Sequence, residues 1–319
     1  MKLNEWAGMQ EDIGLIGVLD TLCNEQGRIN AILHSNVTVK GELENWLNNF
    51  AYNIRKFERK NKWLPPDTIK GPAIVVGAGP SITDEQIIAL RNRPGITIIC
   101  TNKSLKRCYT NNVAPNFVTV VHPTDEILPH FTHQHVRDCL YMSNIVLSTM
   151  THPSVTDEIL AHADPDKVFW YNPSTSDMFV ENIDKTISLL SNRGTIDTGG
   201  NVGIFSMLLA YQWGANPVGI LGLEHCHGPG SWAMWTNEQS DGYEWHYAPE
   251  DDMLYCITPM FKSYLHGMMQ WYSDVRELRP DFDVINLTKM GVMYTRRRPE
   301  RTKDGMPYMD VKDFVARYS

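Results

Sequence analysis

The sequence lacks paired cysteines, an excess of basic residues and the Gly-Lys-Ser/Thr signature of a P-loop. Its six cysteines are scattered without a CxxC pair, which favours reduced thiols over structural disulfides. A net charge of -8 and a pI near 5.8 argue against a general nucleic-acid binder, which needs a basic face. The remaining composition, 42% hydrophobic and 21% charged, is typical of a globular protein with one large domain or two smaller ones.

A long apolar membrane segment is also missing. Residues 198–223 carry no charge, but they include Gln212 and Pro217 and divide naturally into a helix and a strand, so no membrane span is expected. The segment Met1–Gln10 contains Glu5 and has no apolar core, which predicts that no signal peptide precedes the fold. We therefore expect a cytoplasmic protein.

The chain is organised around residues 71–81, with the sequence GPAIVVGAGPS. Ala73–Val76 is apolar and rich in β-branched residues, which predicts a buried parallel strand. The glycines that follow have no Cβ, so the backbone can turn sharply there and approach a ligand closely. A strand, a glycine turn and a helix N-terminus together present N–H groups to an anion. The turn at Gly77, Ala78, Gly79, Pro80 and Ser81 is therefore predicted to be a phosphate or nucleotide site.

This turn departs from the dinucleotide fingerprint in one place. The third glycine of that fingerprint is replaced here by Ile82. Thr83 and Gln86 have the spacing of a capping box, which predicts that a helix begins near them. A glycine turn with a purely structural role remains the alternative interpretation.

Apolar runs alternate with helical patterns from residue 71 onward, which predicts an α/β fold of the Rossmann-like, doubly wound class with a mostly parallel sheet. The predicted strands are Ala73–Val76, Thr97–Cys100, Phe117–Val121, Asn144–Leu147, Val168–Tyr171, Val218–Leu221 and Phe282–Leu287. The predicted helices between them include Asp84–Arg91, Ser104–Thr110, Ser154–His162, Asp177–Ser191, Val202–Trp213 and Pro259–Leu278.

Three regions are predicted along the chain. Residues 1–70 form an N-terminal helical subdomain, with its best amphipathic segment at Glu42–Lys60. Residues 71–290 form the nucleotide-binding domain, interrupted by a loop or lid at about 224–257 that is polar and rich in aromatic residues. Residues 291–319 form a C-terminal tail that ends in a short helix.

Ligands of parallel sheets bind beyond the carboxyl ends of the strands, so the residues that follow each strand are site candidates. Asn102 and Lys103 follow the second strand, where they can contact a base, a ribose or a phosphate, or can equally form a helix cap with a surface lysine. His122 follows the third strand as a candidate acid or base, with a structural histidine as the alternative. Asp125 is a candidate ligand of Mg²⁺ or a helix cap.

A second glycine cluster precedes the helix Val202–Trp213. Its amides repeat the anion-binding arrangement of the first turn, which favours a nucleotide held between the two turns. Taken alone, TIDTGGNVGIF also resembles the first motif of adenosylmethionine-dependent methyltransferases, but that interpretation leaves the first turn without a role.

Glu224 and His225 follow the sixth strand, at the edge where the ligand is expected. Glu224 can bind Mg²⁺, a ribose or an acceptor, and His225 can act as an acid or base. Glu224, His225 and Cys226 could also bind a transition metal, but the sequence has no second ligand pair with zinc spacing. Mg²⁺ that accompanies a nucleotide is the preferred prediction.

Several motifs in order resemble one family. The segments GPAIVVGAGPSITD, TIICTNKSLKRCYTNNVAPNFVTVVHP, IDTGGNVGIFSMLLAYQWGANPVGILGLE and VINLTKMGVMYTRRRPE are similar to the 6-hydroxymethylpterin diphosphokinase MptE-like family. That family includes archaeal pterin pyrophosphokinases and the bacterial motility-accessory (Maf) proteins linked to flagellin glycosylation. The glycine-proline-serine turn is also similar, more distantly, to that of bacterial sialyltransferases. The likeness spans roughly residues 71–301.

The resemblance implies that the first turn contacts the nucleotide phosphates through Gly77, Gly79, Pro80 and Ser81. It also implies that the pocket is completed by Thr198, Gly199, Gly200 and Asn201, and it places Glu224 where relatives usually carry Asp. Two departures stand out, because His122 occupies a place where many relatives have Asp and residues 225–247 do not match the relatives well. The implied function is transfer of a diphosphate from Mg²⁺-ATP to a hydroxymethylpterin. Glycosyl transfer from a CMP- or UDP-sugar is the alternative, followed by a non-enzymatic accessory protein and a methyltransferase. The acceptor, the pathway and a homo-oligomeric state stay open.

Overall fold

The structure is a computed structural model that describes residues 43–56, 62–63, 68–174, 181–227, 244–248, 253–288 and 306–319. The first 42 residues of the predicted helical subdomain and residues 228–243 of the predicted lid lie outside this part of the chain. Within the described residues, no helix is both long enough and apolar enough to cross a membrane.

Eleven strands are found in the described chain, and most of them form one parallel sheet. Their bounds are β1 Lys62–Trp63, β2 Gly71–Val76, β3 Thr97–Thr101, β4 Phe117–Val120, β5 Asn144–Ser148, β6 Val168–Pro173, β7 Thr195–Ile196, β8 Ala215–Leu221, β9 Glu244–Ala248, β10 Met253–Ile257 and β11 Val284–Asn286. The sheet has the order β1-β6-β5-β4-β3-β2-β8-β11, and β7 pairs with β6. Each pairing in that sheet is parallel, whereas β9 and β10 form a separate antiparallel hairpin.

Nine α-helices are found in the same described ranges. Their bounds are α1 43–53, α2 Asp84–Ile88, α3 Leu105–Thr110, α4 Gln134–Leu140, α5 Pro153–His162, α6 Glu181–Ser191, α7 Val202–Gln212, α8 Pro259–Leu278 and α9 Val311–Tyr318. The predicted capping box is present at the start of α2, where Thr83 and Gln86 bond each other's backbone N–H. Pro259 occupies the first turn of α8, and the side chain of Thr258 caps that helix.

The hydrophobic core lies on both faces of the sheet. Alternate residues of β2 enter different clusters, with Ile74 and Val76 on one face and Ala73 and Val75 on the other. Helices α2, α3, α4, α5 and α9 cover the first face, and α7 and α8 cover the second. Because both faces are buried, the strands have the continuous apolar character that the sequence analysis relied on. The predicted α/β, Rossmann-like, doubly wound fold is confirmed.

The structure adds several elements that the sequence analysis did not predict. The short strands β1 and β7 extend the sheet beside β6, and the hairpin of β9 and β10 lies within the segment predicted as a loop or lid. Helix α9, predicted as the end of a tail, packs into the core through Phe314. The boundaries proposed for the three regions remain a prediction.

Candidate active site

The strand order places a topological switch point between β2 and β8. The chain proceeds from β2 to β3, β4, β5 and β6 on one side and then returns to β8 on the other side. Ligands of open parallel sheets bind in the crevice outside the carboxyl ends of the strands at such a point. The first glycine turn follows β2, and the segment Gly222–Glu224 follows β8, so both lie at this crevice.

The first glycine turn is bonded directly to the end of β8. The amide of Gly77 donates to the carbonyl of Leu221 over 2.7 Å, and the amide of Gly79 donates to the carbonyl of Gly222 over 2.9 Å. A Cβ on Gly77 would lie 2.3 Å from the carbonyl oxygen of Gly222, so only glycine allows this close backbone approach.

Both glycine clusters converge on Leu223. A Cβ on Gly77 would lie 2.6 Å from Cδ2 of Leu223, and a Cβ on Gly203 would lie 2.3 Å from the same atom. The two predicted turns are therefore neighbours in space, although more than a hundred residues separate them in the chain.

Glu224 fills the first turn with its own carboxylate. Its Oε1 accepts hydrogen bonds from the amide of Ser81 at 3.1 Å and from the Ser81 hydroxyl. Its Oε2 lies where a Cβ on Gly79 would be, since that Cβ would come within 1.5 Å. Burial raises the pKa of Glu224, and the bonds from Ser81 oppose that rise. The predicted phosphate-binding amide thus already has an anionic partner.

The second glycine cluster caps its own helix. Oδ1 of Asn201 accepts from the amides of Gly203 and Ile204, each at 2.9 Å, and Oδ1 of Asp197 accepts from the amide of Gly199 at 2.8 Å. Burial raises the pKa of Asp197, against the bonds from the amides of Gly199 and Thr198. The helix N-terminus that was predicted to hold a phosphate is therefore bonded to protein side chains.

Gly199 and Gly200 both have positive φ, at 58° and 83°. A Cβ on Gly200 would meet the ring of Tyr264 at 2.3 Å, so α8 covers this turn closely. Tyr264 was not identified from the sequence, because its position in an amphipathic helix is equally typical of a core residue.

His225 is a buried neutral imidazole at the end of β8. Its backbone is left-handed, with φ at 51°, and its ring contacts that of Phe261 with the centroids 6.5 Å apart. Burial lowers the pKa of His225 to about 4. In the described part of the chain its Nε2 has no hydrogen-bond partner. A buried nitrogen without a partner is costly, and such groups concentrate at functional sites.

The residues after β3 hold the first glycine turn in place. The hydroxyl of Ser104 donates to the carbonyl of Gly77 and is 3.0 Å from the hydroxyl of Thr101. Asn102 is buried, and its Nδ2 donates to Nδ1 of His130 over 2.9 Å, whereas Lys103 is exposed. Ser104 and His130 were not selected from the sequence, and the one available signal was the position of Ser104 immediately beyond a strand.

His122 lies beyond β4, in a tight turn with Thr124. Its Nδ1 accepts from the amide of Thr124 at 3.3 Å and interacts with the Thr124 hydroxyl at 3.1 Å. Asp125 is exposed at the start of a short 3-10 helix, Asp125–His130. Three strand positions separate β4 from β8, or roughly 14 Å at the usual spacing of neighbouring strands. The structure thus brings Glu224 and His225 together but places His122 and Asp125 further along the edge.

No group of three or more His, Cys, Asp or Glu residues that could hold a metal ion occurs among the residues described here. Glu224 and Asp125 were both predicted as ligands of Mg²⁺. Because their strands are three positions apart, the topology does not favour one ion shared between them.

Helix α1 fixes the turns beyond β4 and β5. Nδ2 of Asn49 donates to the carbonyls of Pro123 and Met150, and Nδ2 of Asn53 donates to those of Thr149 and Thr151, all within 3.0 Å. Both asparagines are buried. They were missed because the sequence analysis identified this helix by its apolar residues alone.

Comparison with known proteins supports the family resemblance that the sequence motifs indicated. No curated protein matches the sequence. The fold is similar to the structure of a MAf glycosyltransferase from Magnetospirillum magneticum AMB-1, with a TM-score of 0.57 and 15% identity over 85% of this chain. The match spans 38% of that longer chain, and identity this low shows the fold alone. A model of the family described as 6-hydroxymethylpterin diphosphokinase MptE-like matches residues 44–229, more than half of the chain. The chain therefore belongs to that family.

Proposed function

We propose that this protein is a transferase that binds a nucleotide donor along the carboxyl edge of its sheet. The observation that carries the proposal is the convergence of both glycine clusters on residues 222–224 at the switch point. The edge from there to His122 is roughly 14 Å long, which suits an extended ligand such as a nucleoside diphosphate better than a compact one. Membership of the diphosphokinase-like family favours a phosphorylated donor.

Diphosphoryl transfer from ATP is our first candidate reaction. An acceptor hydroxyl oxygen would attack the β-phosphorus, the bond from that phosphorus to the oxygen shared with the α-phosphorus would break, and AMP would leave. Mg²⁺ would neutralise the phosphates. Glu224 is an oxygen ligand of the kind that Mg²⁺ prefers, and its buried carboxylate has no cation among the groups that shift its pKa. Glu224 would be one protein ligand of that ion, and the phosphates of the nucleotide and water would have to supply the others.

Glycosyl transfer from a CMP- or UDP-sugar is the second candidate. The observation that favours it is the fold shared with a protein described as a MAf glycosyltransferase. In this reaction an acceptor hydroxyl oxygen would bond to the anomeric carbon and lose its proton to solvent, while the bond from that carbon to the phosphate oxygen would break. The nucleotide would then leave with an added negative charge. The Nε2–H of His122 could stabilise that charge, because Nδ1 is occupied as an acceptor.

A binding screen with product analysis tests the proposal. ATP, GTP, CMP, UDP and S-adenosylmethionine are added with and without Mg²⁺ while the melting temperature is recorded. A ligand present at about 100 times its Kd stabilises the fold by about 2.7 kcal/mol. Mass spectrometry then follows AMP and a diphosphorylated hydroxymethylpterin, or CMP and a glycosylated acceptor. We expect a response to ATP with Mg²⁺, or to CMP or UDP in the second case.

A matched pair of variants tests whether the nucleotide that changes the melting temperature binds at the crevice. Ser81→Ala removes a hydroxyl at the crevice, whereas Thr110→Ala removes an exposed hydroxyl at the end of α3. The nucleotide response should weaken in Ser81→Ala alone. Stabilisation by S-adenosylmethionine alone would contradict the proposal in favour of a methyltransferase. Silence across the panel would contradict it in favour of an accessory protein.

A further inference from the structure

The register of β2 and β8 brings Glu224 and Gly79 side by side. Val76 pairs with Leu221 in that register, and Gly79 and Glu224 each lie three positions beyond the paired residue of their own strand. The amide of Gly79 then donates to the carbonyl of Gly222 over 2.9 Å, so the two chain segments stay together beyond the sheet. The position of the Glu224 side chain is therefore set by the pairing of the two strands.

The carboxylate of Glu224 lies in the space that the missing Cβ of Gly79 leaves. A Cβ at this glycine would come within 1.5 Å of Oε2 of Glu224. Oε1 of Glu224 accepts from the amide of Ser81 over 3.1 Å and from the Ser81 hydroxyl. In a nucleotide-binding turn, the second glycine lets the backbone approach a pyrophosphate, and free amides bond that anion. Here a carboxylate of the protein itself has the place of the phosphate.

Glu224 brings a negative charge to the crevice without a cationic partner. The residue is only 5% exposed, and no cation is among the groups that shift its pKa. The hydrogen bonds from Ser81 stabilise the carboxylate but do not neutralise its charge. Water and salt screen buried charges less than exposed ones, so a second anion brought against this carboxylate is strongly repelled. A free phosphate can therefore reach the Ser81 amide only against this repulsion.

We propose that Glu224 determines which form of the donor the first glycine turn accepts, because it excludes a free nucleotide and admits one whose phosphates carry a divalent cation. This inference rests on the proposed nucleotide-dependent transferase and adds the residue that selects the form of its donor. Mg²⁺ is commonly bound by one or two carboxylates together with substrate phosphates, so one cation compensates both negative groups. The Ser81 amide becomes available to a phosphate oxygen when the side chain of Glu224 turns toward the cation.

Calorimetric titration of the full chain with ATP and with UDP, each in EDTA and in Mg²⁺, tests the exclusion. For the unmodified protein, we expect Mg²⁺ to lower the Kd of the nucleotide that binds by roughly tenfold or more. Glu224→Gln keeps an oxygen that accepts from Ser81 but removes the charge. This variant should therefore bind the free nucleotide roughly tenfold more tightly than the unmodified protein does. Its Kd should change by about twofold at most when Mg²⁺ is added.

Glu85→Gln is the matched control, because it removes the same charge from an exposed position in the first turn of α2. Its Kd values should stay within about twofold of those of the unmodified protein, since solvent screens an exposed charge. An equal response to Mg²⁺ in the unmodified protein and Glu224→Gln would overturn the proposal, as would a free nucleotide that Glu224→Gln binds no more tightly. Both results leave the nucleotide-dependent transferase standing. Absence of nucleotide binding in every titration would overturn both proposals.

The unmodified protein supplies a second measurement, which does not depend on the folding of a variant. NMR of ¹⁵N-labelled protein follows the amide of Ser81, which donates to Glu224 in the structure. We expect its resonance to shift when ATP or UDP is added with Mg²⁺, and to stay in place with the same concentration of free nucleotide. The amide of Gly95, before the opposite end of β3, should stay in place in both titrations. A shift of the Ser81 resonance with free nucleotide would overturn the proposal, because Glu224 would then not exclude it.

Discussion

His225 combines burial, a left-handed backbone and a depressed pKa, and this combination makes the stability of the fold depend on its titration. Its pKa in the folded protein is about 4, against 6.5 for a free histidine. Between these values the unfolded chain binds a proton that the folded chain does not bind. The stability that His225 contributes is therefore present above pH 6.5 and is lost as the pH falls toward 4.

We predict that His225→Asn flattens the acid-induced loss of stability, because asparagine does not titrate and tolerates the left-handed backbone. Between pH 6.5 and 4, the substitution should remove a loss of unfolding free energy on the order of 3 kcal/mol that His225 causes in the unmodified protein. Urea denaturation at several pH values measures it. His133→Asn, at an exposed position, should leave the pH profile unchanged. Parallel profiles for His225→Asn and the unmodified protein would contradict the prediction.

At this scale the sequence predicted where the site residues lie but not what they bond. The pattern GAGPS correctly predicted a glycine turn between a strand and a helix. It could not show that Glu224 would occupy the Ser81 amide, because the partner is 143 residues away and its arrival depends on the strand order. The hydrogen bonds between Asn201 and the first turn of α7 are local, by contrast. They could be predicted, because asparagine immediately before a helix is a common N-cap.

Helix α1 acts on the site through hydrogen bonds instead of through a catalytic group. Asn53 reaches two backbone carbonyls beyond β5, at Thr149 and Thr151, and both bonds are buried. These carbonyls precede His152, whose amide donates to the carbonyl of His122 over 3.1 Å. The position of His122 therefore depends on an element that lies outside the sheet.

We predict that Asn53→Ala destabilises the protein by about 2 kcal/mol, because it leaves two buried carbonyls without their donor. Asn48→Ala, on the exposed side of the same helix, should have little effect. Chemical denaturation gives both values. Hydrogen exchange should show faster opening around residues 149–152 in Asn53→Ala alone, and equal protection in both variants would contradict the assigned role.

Elements with a strong internal pattern were predicted well, and elements defined by their neighbours were not. Strand β4 and helix α8 were recognisable from an apolar run and a helical period, and α8 has the predicted bounds. Strands β1 and β7 are each two residues long and exist because β6 offers them an edge. Such short segments carry no period of their own, so only the assembled sheet reveals them.

For the whole molecule, the switch point is the junction between two halves of the sheet. The half that extends from β2 through β6 joins the half formed by β8 and β11 along the pairing of β2 with β8. Beyond the strands, the junction continues through the bonds from Gly77 to Leu221 and from Gly79 to Gly222. Thr288 extends it from beyond β11, since its hydroxyl accepts from the amide of Gly222 over 2.8 Å.

The backbone contact at Gly77 leaves no room for a Cβ, so a substitution that adds one methyl group tests the junction of β2 and β8. We predict that Gly77→Ala destabilises the protein by about 3 kcal/mol, because its Cβ would meet a backbone oxygen at 2.3 Å that cannot move without separating β2 from β8. Gly95→Ala is the matched control, since its Cβ would have ordinary contacts from 3.5 Å outward. That variant should gain about 0.4–1 kcal/mol through a less flexible unfolded chain. Chemical denaturation measures the free energy of unfolding of both variants. If Gly77→Ala is as stable as Gly95→Ala, the ends of β2 and β8 are not held together as described. The crevice proposed for the nucleotide would then lose its structural basis.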